Sequence, residues 1–351
     1  MIPGPNINGT RVLITGHTGF KGSWLAQYLN SRDVEIFGLS LNAEKNSLYT
    51  RIDNSFYARE YIEDIRDLGK MRSIIQFIQP EYIFHLAAQP LVLRSYENPL
   101  DTFQTNVLGT ANLLESSVHL KSVKKIIVAT TDKVYKNFED GRKYNETDPL
   151  EGNDPYSASK VGAEAVVKAW QTITAADESK AIISVRSGNV IGGGDFASER
   201  LLPDLIRSYI SHESVNLRNP GSTRPWQHVL DPIAGYVMAA EAENNGKQFT
   251  AFNFGPSGAS LSVAEVCEIA KSHLHFTLAT GHRPSRGNEA SLLDLDSTRA
   301  RDALKWRNIW SQEEAVTSTV KWWKSVLEEE LSANEACERD LDLMTTLRAL
   351  S

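Results

Sequence analysis

Apolar runs alternate with amphipathic stretches along the first half of the chain. Residues 11–15 form a short apolar run that ends at Gly16, the pattern of a buried strand. Phe20, Trp24, Leu25, Tyr28 and Leu29 follow at helical spacing. Strands are predicted at 34–39, 56–62, 81–87, 124–130 and 181–186, with helices at 68–78, 100–119 and 157–173 between them. The 68–78 helix is expected to stop at Pro80. Strand–helix alternation of this kind implies βαβ units, hence an α/β protein of Rossmann type: a doubly wound parallel sheet with helices on both faces. The rhythm breaks near Asn189, and Gly192-Gly193-Gly194 signals a loop. Helical patterns at 201–211, 232–243 and 262–272 then mix with short apolar pieces at 249–254 and 291–295. They suggest a smaller α/β region that completes a site. The expected division is 1–188 for a sheet domain and 189–330 for a second domain that completes a site and can donate segments back. A helical tail, charged and amphipathic, follows at 331–351, after a last helix pattern at 312–331.

Charge narrows the partners. Lys and Arg total 37 against 44 Asp and Glu, a formal charge of −7, whereas a general nucleic-acid binder needs a net basic face. No stretch approaches the roughly 18 consecutive apolar residues of a membrane helix, and residues 1–10 lack the pattern of a secretory signal. The two cysteines, Cys267 and Cys337, are far apart and outside any Cys/His cluster. A disulfide scaffold and a metal site are therefore not expected, and the cytoplasm is the expected compartment.

Gly16-His17-Thr18-Gly19-Phe20-Lys21-Gly22 sits where the first strand meets the first helix. Glycines at this spacing allow a tight turn, a close backbone approach to a pyrophosphate and tight strand–helix packing, while the helix N-terminus offers free N–H groups. The acid that normally ends the second strand and holds the ribose of NAD is missing from Gly38-Leu39-Ser40-Leu41-Asn42, and no arginine replaces it. Charge therefore leaves NAD and NADP both open. Ser40 or Asn42 can bond a ribose neutrally, Lys45 can meet a 2′-phosphate, and Asp64-Ile65 can line an adenine or form a solvated turn.

Of eleven tyrosines, only Tyr156 has a lysine four residues on, Lys160. On a helix the pair shares one face, and the ammonium is expected to lower the tyrosine pKa towards that of a working base. Asp154-Pro155 puts Tyr156 at a helix entrance. Thr130-Thr131-Asp132-Lys133 closes the fifth predicted strand, at the sheet edge where ligands bind.

Gly16 to Gly22, Leu86-Ala87-Ala88-Gln89, Thr131-Asp132-Lys133 and Tyr156 with Lys160 resemble the extended short-chain dehydrogenase/reductase family. Thr131 to Tyr135, Gly188-Asn189-Val190-Ile191-Gly192-Gly193-Gly194-Asp195 and Arg224-Pro225-Trp226-Gln227-His228-Val229 are similar to its nucleotide-sugar 4,6-dehydratase branch, over residues 9–327. The resemblance implies a lyase with a tightly bound, recycled NAD. Tyr156, helped by Lys160 and Thr131, would take the proton of the sugar 4-hydroxyl as hydride leaves C4. The ketone then acidifies C5, water leaves from C5 and C6, and hydride returns to C6. Asp132 corresponds to the acid for C6. Lys133 stands where the dTDP-sugar relatives have a glutamate base, so it is either a neutral base or an electrostatic helper. That lysine points to the CDP-sugar relatives, with CDP-glucose as substrate.

Around the cofactor the resemblance implies Gly16, Thr18, Gly19, Phe20 and Gly22. It adds Ser40, Asp64 and Ile65, then Leu86, Ala87, Ala88 and Thr130, with Tyr156 and Lys160. An acidic chain must also supply local cations for the substrate diphosphate. Arg224, Arg283 and Arg286 are candidates because a guanidinium bonds phosphate oxygens in pairs. Asn189 and Thr131 are expected on the sugar or phosphate, with Gln89 and Arg94 on the sugar side. Arg200 is either a pocket residue or a surface charge, and Gln227 is a further candidate contact. The 100–119 and 157–173 helices resemble those that pair across a homodimer in this family, although their apolar stripes can equally face the sheet. A 4-epimerase, a 4-keto reductase, a dehydratase of another nucleotide sugar and a non-catalytic binder are the competing readings. Asp132 speaks against the epimerase, and the complete Thr131, Tyr156 and Lys160 set against the binder.

Overall fold

The computed structural model describes residues 7–217, 219–243, 250–279 and 293–350. Seven parallel strands build its central sheet: β1 (Thr10–Thr15), β2 (Val34–Ser40), β3 (Tyr57–Ile62), β4 (Tyr82–His85), β5 (Lys125–Ala129), β6 (Ala181–Ser187) and β7 (Ala251–Phe254). Their order is β7-β6-β5-β4-β1-β2-β3. Chain direction around the sheet reverses between β1 and β4, so the crevice beyond their C-terminal ends is the topological switch point where such sheets take ligands. β4 and the middle of β1 are buried throughout, which is why they read as continuous apolar runs rather than alternating ones.

Helices α1 (Phe20–Asn30), α2 (Leu68–Ile78), α3 (Gly109–Ser117) and α4 (Pro155–Ile173) cover the sheet. The predicted span of α2 matches residue for residue, because Asp67 caps its start and Gln79 ends it in the left-handed region (φ 51°). α4 opens on a capping box in which Asp154 accepts from the Ser157 amide and Ser157 Oγ accepts from the Asp154 amide, with Pro155 in the first turn. Beyond β6 come α5 (Leu201–Ser211), α6 (Leu230–Glu241), α7 (Val263–Lys271), α8 (Thr298–Leu304), α9 (Gln312–Leu327) and α10 (Ala333–Leu350).

Two elements depart from expectation. β4 ends at His85, two residues early, because the backbone at Leu86 and Ala87 turns to lie against Gly16. The helix expected over 100–119 is interrupted: Pro99–Phe103 is α-helical, Gln104–Leu108 is a π-segment, and α3 follows. Such insertions recur at functional sites, and this one carries buried Asn106. The short apolar piece expected at 249–254 joins the central sheet: β7 pairs in register with β6, Ala251 opposite Ser184 and Phe254 opposite Ser187. The C-terminal half therefore contributes a strand to the central sheet. It also extends the main apolar core, where Trp306, Trp322 and Trp323 pack with Trp24 of α1.

Candidate active site

Between β1 and α1 the backbone folds back on itself. Gly16 has φ 77°, and a Cβ there would lie 2.6 Å from the Ala87 amide nitrogen. A Cβ on Gly22 would lie 2.1 Å from the Gly16 carbonyl oxygen, so only glycine fits. Gly19 is the N-cap of α1 and offers no side chain, and the first turn holds no acid. The helix N-terminus thus presents its amides uncompensated, which fits a dinucleotide pyrophosphate. At the end of β2, Ser40 Oγ lies 2.8 Å from Thr18 Oγ1, and Thr18 also donates to the Leu41 carbonyl at 3.0 Å. Asp64 is held by Arg66, which lowers its pKa, while Ile65 is buried in the core against Gly109. Leu86, Ala87 and Ala88 line the turn from the β4 side, half-buried.

The candidate reacting groups meet beyond β5. Thr131 caps a short 3₁₀ turn, Asp132–Val134, and its Oγ1 donates to Asp132 Oδ1 at 2.9 Å. Asp132 is buried, and burial raises its pKa against the opposing charges of Lys133 and Lys21. A Cβ on Gly188, next after β6, would come within 2.8 Å of Asp132 Oδ2, so this glycine makes room for the carboxyl. Tyr156 is buried in the first turn of α4, close enough to Thr131 for the threonine to act on its pKa. Its pKa is not lowered as expected. Burial pushes it up to about 12; Thr131 and the charge of Arg200 pull it down, and Asp132 adds to the rise. Lys160 instead donates to the Ala129 carbonyl at 3.1 Å. Burial and the charge of Lys21 push its own pKa down to about 8.

A buried polar frame supports this cluster. Thr130 Oγ1 donates to Glu164 at 2.6 Å, Glu164 pairs with Arg186 at 2.8 Å, and Arg186 donates to the Tyr135 hydroxyl at 2.7 Å. On the other side Thr15 Oγ1 lies 2.7 Å from His85 Nδ1, and Thr110 Oγ1 lies 3.0 Å from His85 Nε2. Asn106 donates to Ser159 Oγ at 2.8 Å, and Ser159 donates to the Tyr156 carbonyl at 2.7 Å. The π-segment thereby grips the first turn of α4, which carries Tyr156.

Other candidates are placed less evenly. Gln89 is buried, and its carboxamide is spent on Leu91 and Thr102, so its polar atoms hold the local backbone. Arg94 is half exposed and 3.8 Å from Asp101. Arg200 is no free surface charge: it pairs with buried Asp195 at 3.0 Å and acts electrostatically on Tyr156 and Lys21. Asn189 opens a three-residue strand paired with Trp226–His228, which brings Arg224 and Pro225 beside Gly188. Gln227 is buried with no hydrogen-bond partner at either end of its carboxamide. Arg283 and Arg286 lie outside the described residues. Lys21 was visible inside the glycine motif but unassigned; its Nζ donates to Ser187 Oγ at 2.8 Å and to the Tyr236 hydroxyl at 3.4 Å. Asn106, Glu164 and Arg186 carry no local sequence signal. Among the described residues no His, Cys, Asp or Glu cluster could hold a metal, and no helix is long and apolar enough to cross a membrane.

A parallel sheet with this glycine turn and a Tyr156/Lys160 helix at its switch point defines a dinucleotide-dependent enzyme of the extended short-chain dehydrogenase/reductase type. A family model described as GDP-mannose 4,6 dehydratase matches residues 13–319. The chain belongs to that family, and with it to the lyases that dehydrate nucleotide sugars. It is 39 % identical over 330 residues to a CDP-glucose 4,6-dehydratase of Salmonella typhimurium, covering 90 % of this chain and 91 % of the relative. It is 26 % identical to a probable dTDP-glucose 4,6-dehydratase of Sinorhizobium fredii, over 89 % and 92 % of the two chains. The crystal structure of a UDP-glucose 4-epimerase from Thermotoga maritima shares the fold, with a TM-score of 0.78 at 23 % identity over 90 % of this chain and 99 % of that one.

Proposed function

We propose that the chain converts CDP-glucose to CDP-4-keto-6-deoxyglucose, a step of deoxysugar biosynthesis. The observation that carries the reading is the buried junction of Asp132, Thr131 and Tyr156: an acid whose pKa burial raises accepts from Thr131 at 2.9 Å beside the Tyr156 hydroxyl. A 4-epimerase has no use for such an acid.

NAD, when bound, accepts the hydride from C4 and returns it to C6, and NADP is the alternative because no charge distinguishes the two. The Gly16–Gly22 turn and the α1 amides hold the pyrophosphate. Burial holds the Tyr156 pKa up at about 12, so the phenol gives its own proton to solvent before its phenolate takes the C4 hydroxyl proton as hydride leaves. Lys160 steadies the phenol oxygen as charge develops, and Thr131 orients the hydroxyl. Asp132 then protonates the departing C6 hydroxyl. Lys133, half-buried one residue on, either takes the C5 proton or stabilises the enolate. Arg224 and Arg200 provide the positive charge for the diphosphate and the sugar pocket.

The assembly is a homodimer in this reading. Leu100, Phe103 and Leu108 are exposed along the interrupted helix, an apolar strip suited to a second copy. The test of function is incubation of the purified protein with CDP-, dTDP-, UDP- and GDP-glucose, followed by mass spectrometry. Loss of one water from the CDP-sugar supports the reading. An isomer of unchanged mass sinks it and favours the epimerase.

A further inference from the structure

The turn that carries Thr131, Asp132 and Lys133 is fastened at both ends to one buried ion pair. Arg186 of β6 grips Glu164 of α4 with a two-pronged fork, Nε to Oε1 and Nη2 to Oε2, each at 2.8 Å. The two side chains are only 5 % and 6 % exposed. Before the turn, Thr130 Oγ1 donates to Glu164 Oε1 at 2.6 Å. After it, the Tyr135 hydroxyl accepts from Arg186 Nη1 at 2.7 Å and donates to Asn253 Oδ1 of β7 at 2.8 Å. Thr130 and Tyr135 are themselves buried.

The same pair reaches the Tyr156 helix. Glu164 lies four residues after Lys160 and eight after Tyr156, so the three share one side of α4. Lys160 donates to the Ala129 carbonyl, and Glu164 accepts from Thr130, the next residue. Two steps along that side therefore fasten α4 to the end of β5. Arg186 stands two residues before Gly188, whose missing side chain leaves room for the Asp132 carboxyl.

Stability alone does not account for such a pair. Taking two charges out of water costs about as much as their attraction returns, and apolar residues of similar volume often hold a fold as well or better. The carboxylate nevertheless stays charged. Burial opposes it, but Arg186, Thr130 and Ser184 together hold the Glu164 pKa below the usual carboxylate range. A guanidinium fork fixes direction as well as distance, which neither an ammonium nor an apolar contact does.

We propose that the Glu164–Arg186 pair is a positioning unit for the reaction: it clamps both ends of the Asp132–Val134 turn and sets Thr131 and Asp132 against Tyr156. That role rests on Thr131, Asp132 and Tyr156 reacting as proposed above, not on which nucleotide sugar is bound.

Three variants test it. Glu164→Leu/Arg186→Met replaces the pair by apolar bulk. Arg186→Lys keeps the charge without the fork. Tyr135→Phe keeps the pair and releases the far end of the turn. Thermal midpoint, dinucleotide affinity by fluorescence titration, kcat and KM are measured for each. The sugar is whichever of CDP-, dTDP-, UDP- and GDP-glucose the unaltered protein consumes, so a wrong substrate and a failed positioning role show separately. The double variant should keep its midpoint, its dinucleotide affinity and its KM, while kcat falls about ten- to a hundredfold. Arg186→Lys should lose nearly as much. Tyr135→Phe should lower kcat in the same way and cost nothing further when added to the double variant. If the double variant does not fold, Tyr135→Phe carries the test alone. An unchanged kcat in a folded double variant, or in Tyr135→Phe, overturns the proposal. So does a loss that appears in KM or dinucleotide affinity and not in kcat.

Discussion

The cofactor turn and the reacting cluster occupy neighbouring ends of the same strands, yet they are built on different physics. The turn is steric. Its glycines are dictated by close backbone atoms, those of Gly16 and His17 for Gly22 and those of Leu86 and Ala87 for Gly16, and its charge comes from helix amides. The cluster is electrostatic. Thr131 and Asp132 come from beyond β5, Tyr156 and Lys160 from α4, Lys21 from α1 and Arg200 from the segment before α5. Their ionisation depends on what buries them. One lesson is that a site can be rigid where it holds a cofactor and tunable where it reacts.

Four substitutions press on that difference, in order of expected effect. Gly22→Ala tests the steric half. Alanine is the better helix former by about 1 kcal/mol, so a stabilised protein is the propensity expectation. The clash with the Gly16 carbonyl predicts the reverse: a loss of about 1–3 kcal/mol in urea denaturation and no detectable dinucleotide binding by fluorescence titration. Tyr156→Phe keeps the fold but removes the proposed base, and steady-state turnover should fall about 10²–10⁴-fold. Full activity would refute the role of Tyr156. Asp132→Asn separates the steps. Exchange of the C5 hydrogen with deuterated solvent should continue while water loss slows about a hundredfold; equal slowing of both would give Asp132 a purely structural part.

The smallest effect is on pH dependence. Burial between Thr15 and Thr110, with the nearby charge of Lys160, holds the His85 pKa down at about 3. An unfolded histidine titrates near 6.5, so below that pH the unfolded chain binds a proton the native state refuses. Stability should fall as pH drops from 6.5 towards 3. His85→Gln should flatten the change in urea midpoint between pH 7 and pH 5, and an unchanged slope would remove His85 from the frame.

The same contrast explains what was readable in advance. The strand–helix rhythm of the first half needs only local periodicity, so β1, α1 and α2 match closely. Gly16, Gly19 and Gly22 are legible by their spacing at a strand–helix junction, although the backbone that crowds Gly16 is that of Leu86 and Ala87. Tyr156 with Lys160 was legible by spacing, but not the rise in the tyrosine pKa, since burial and the turn of Lys160 towards the Ala129 carbonyl are tertiary facts. The π-segment at Asn106 and the Glu164–Arg186 pair were invisible because each joins elements far apart in the chain. The place of β7 beside β6 was not legible, because an apolar hexamer does not disclose its sheet partner.

CDP-glucose carrying deuterium at C4, incubated with the protein and its NAD and analysed by mass spectrometry and proton NMR, tests the central claim most directly. The account predicts a product lighter by one water, with the deuterium now at C6. Deuterium lost to solvent, or retained at C4 of a sugar of unchanged mass, would contradict it.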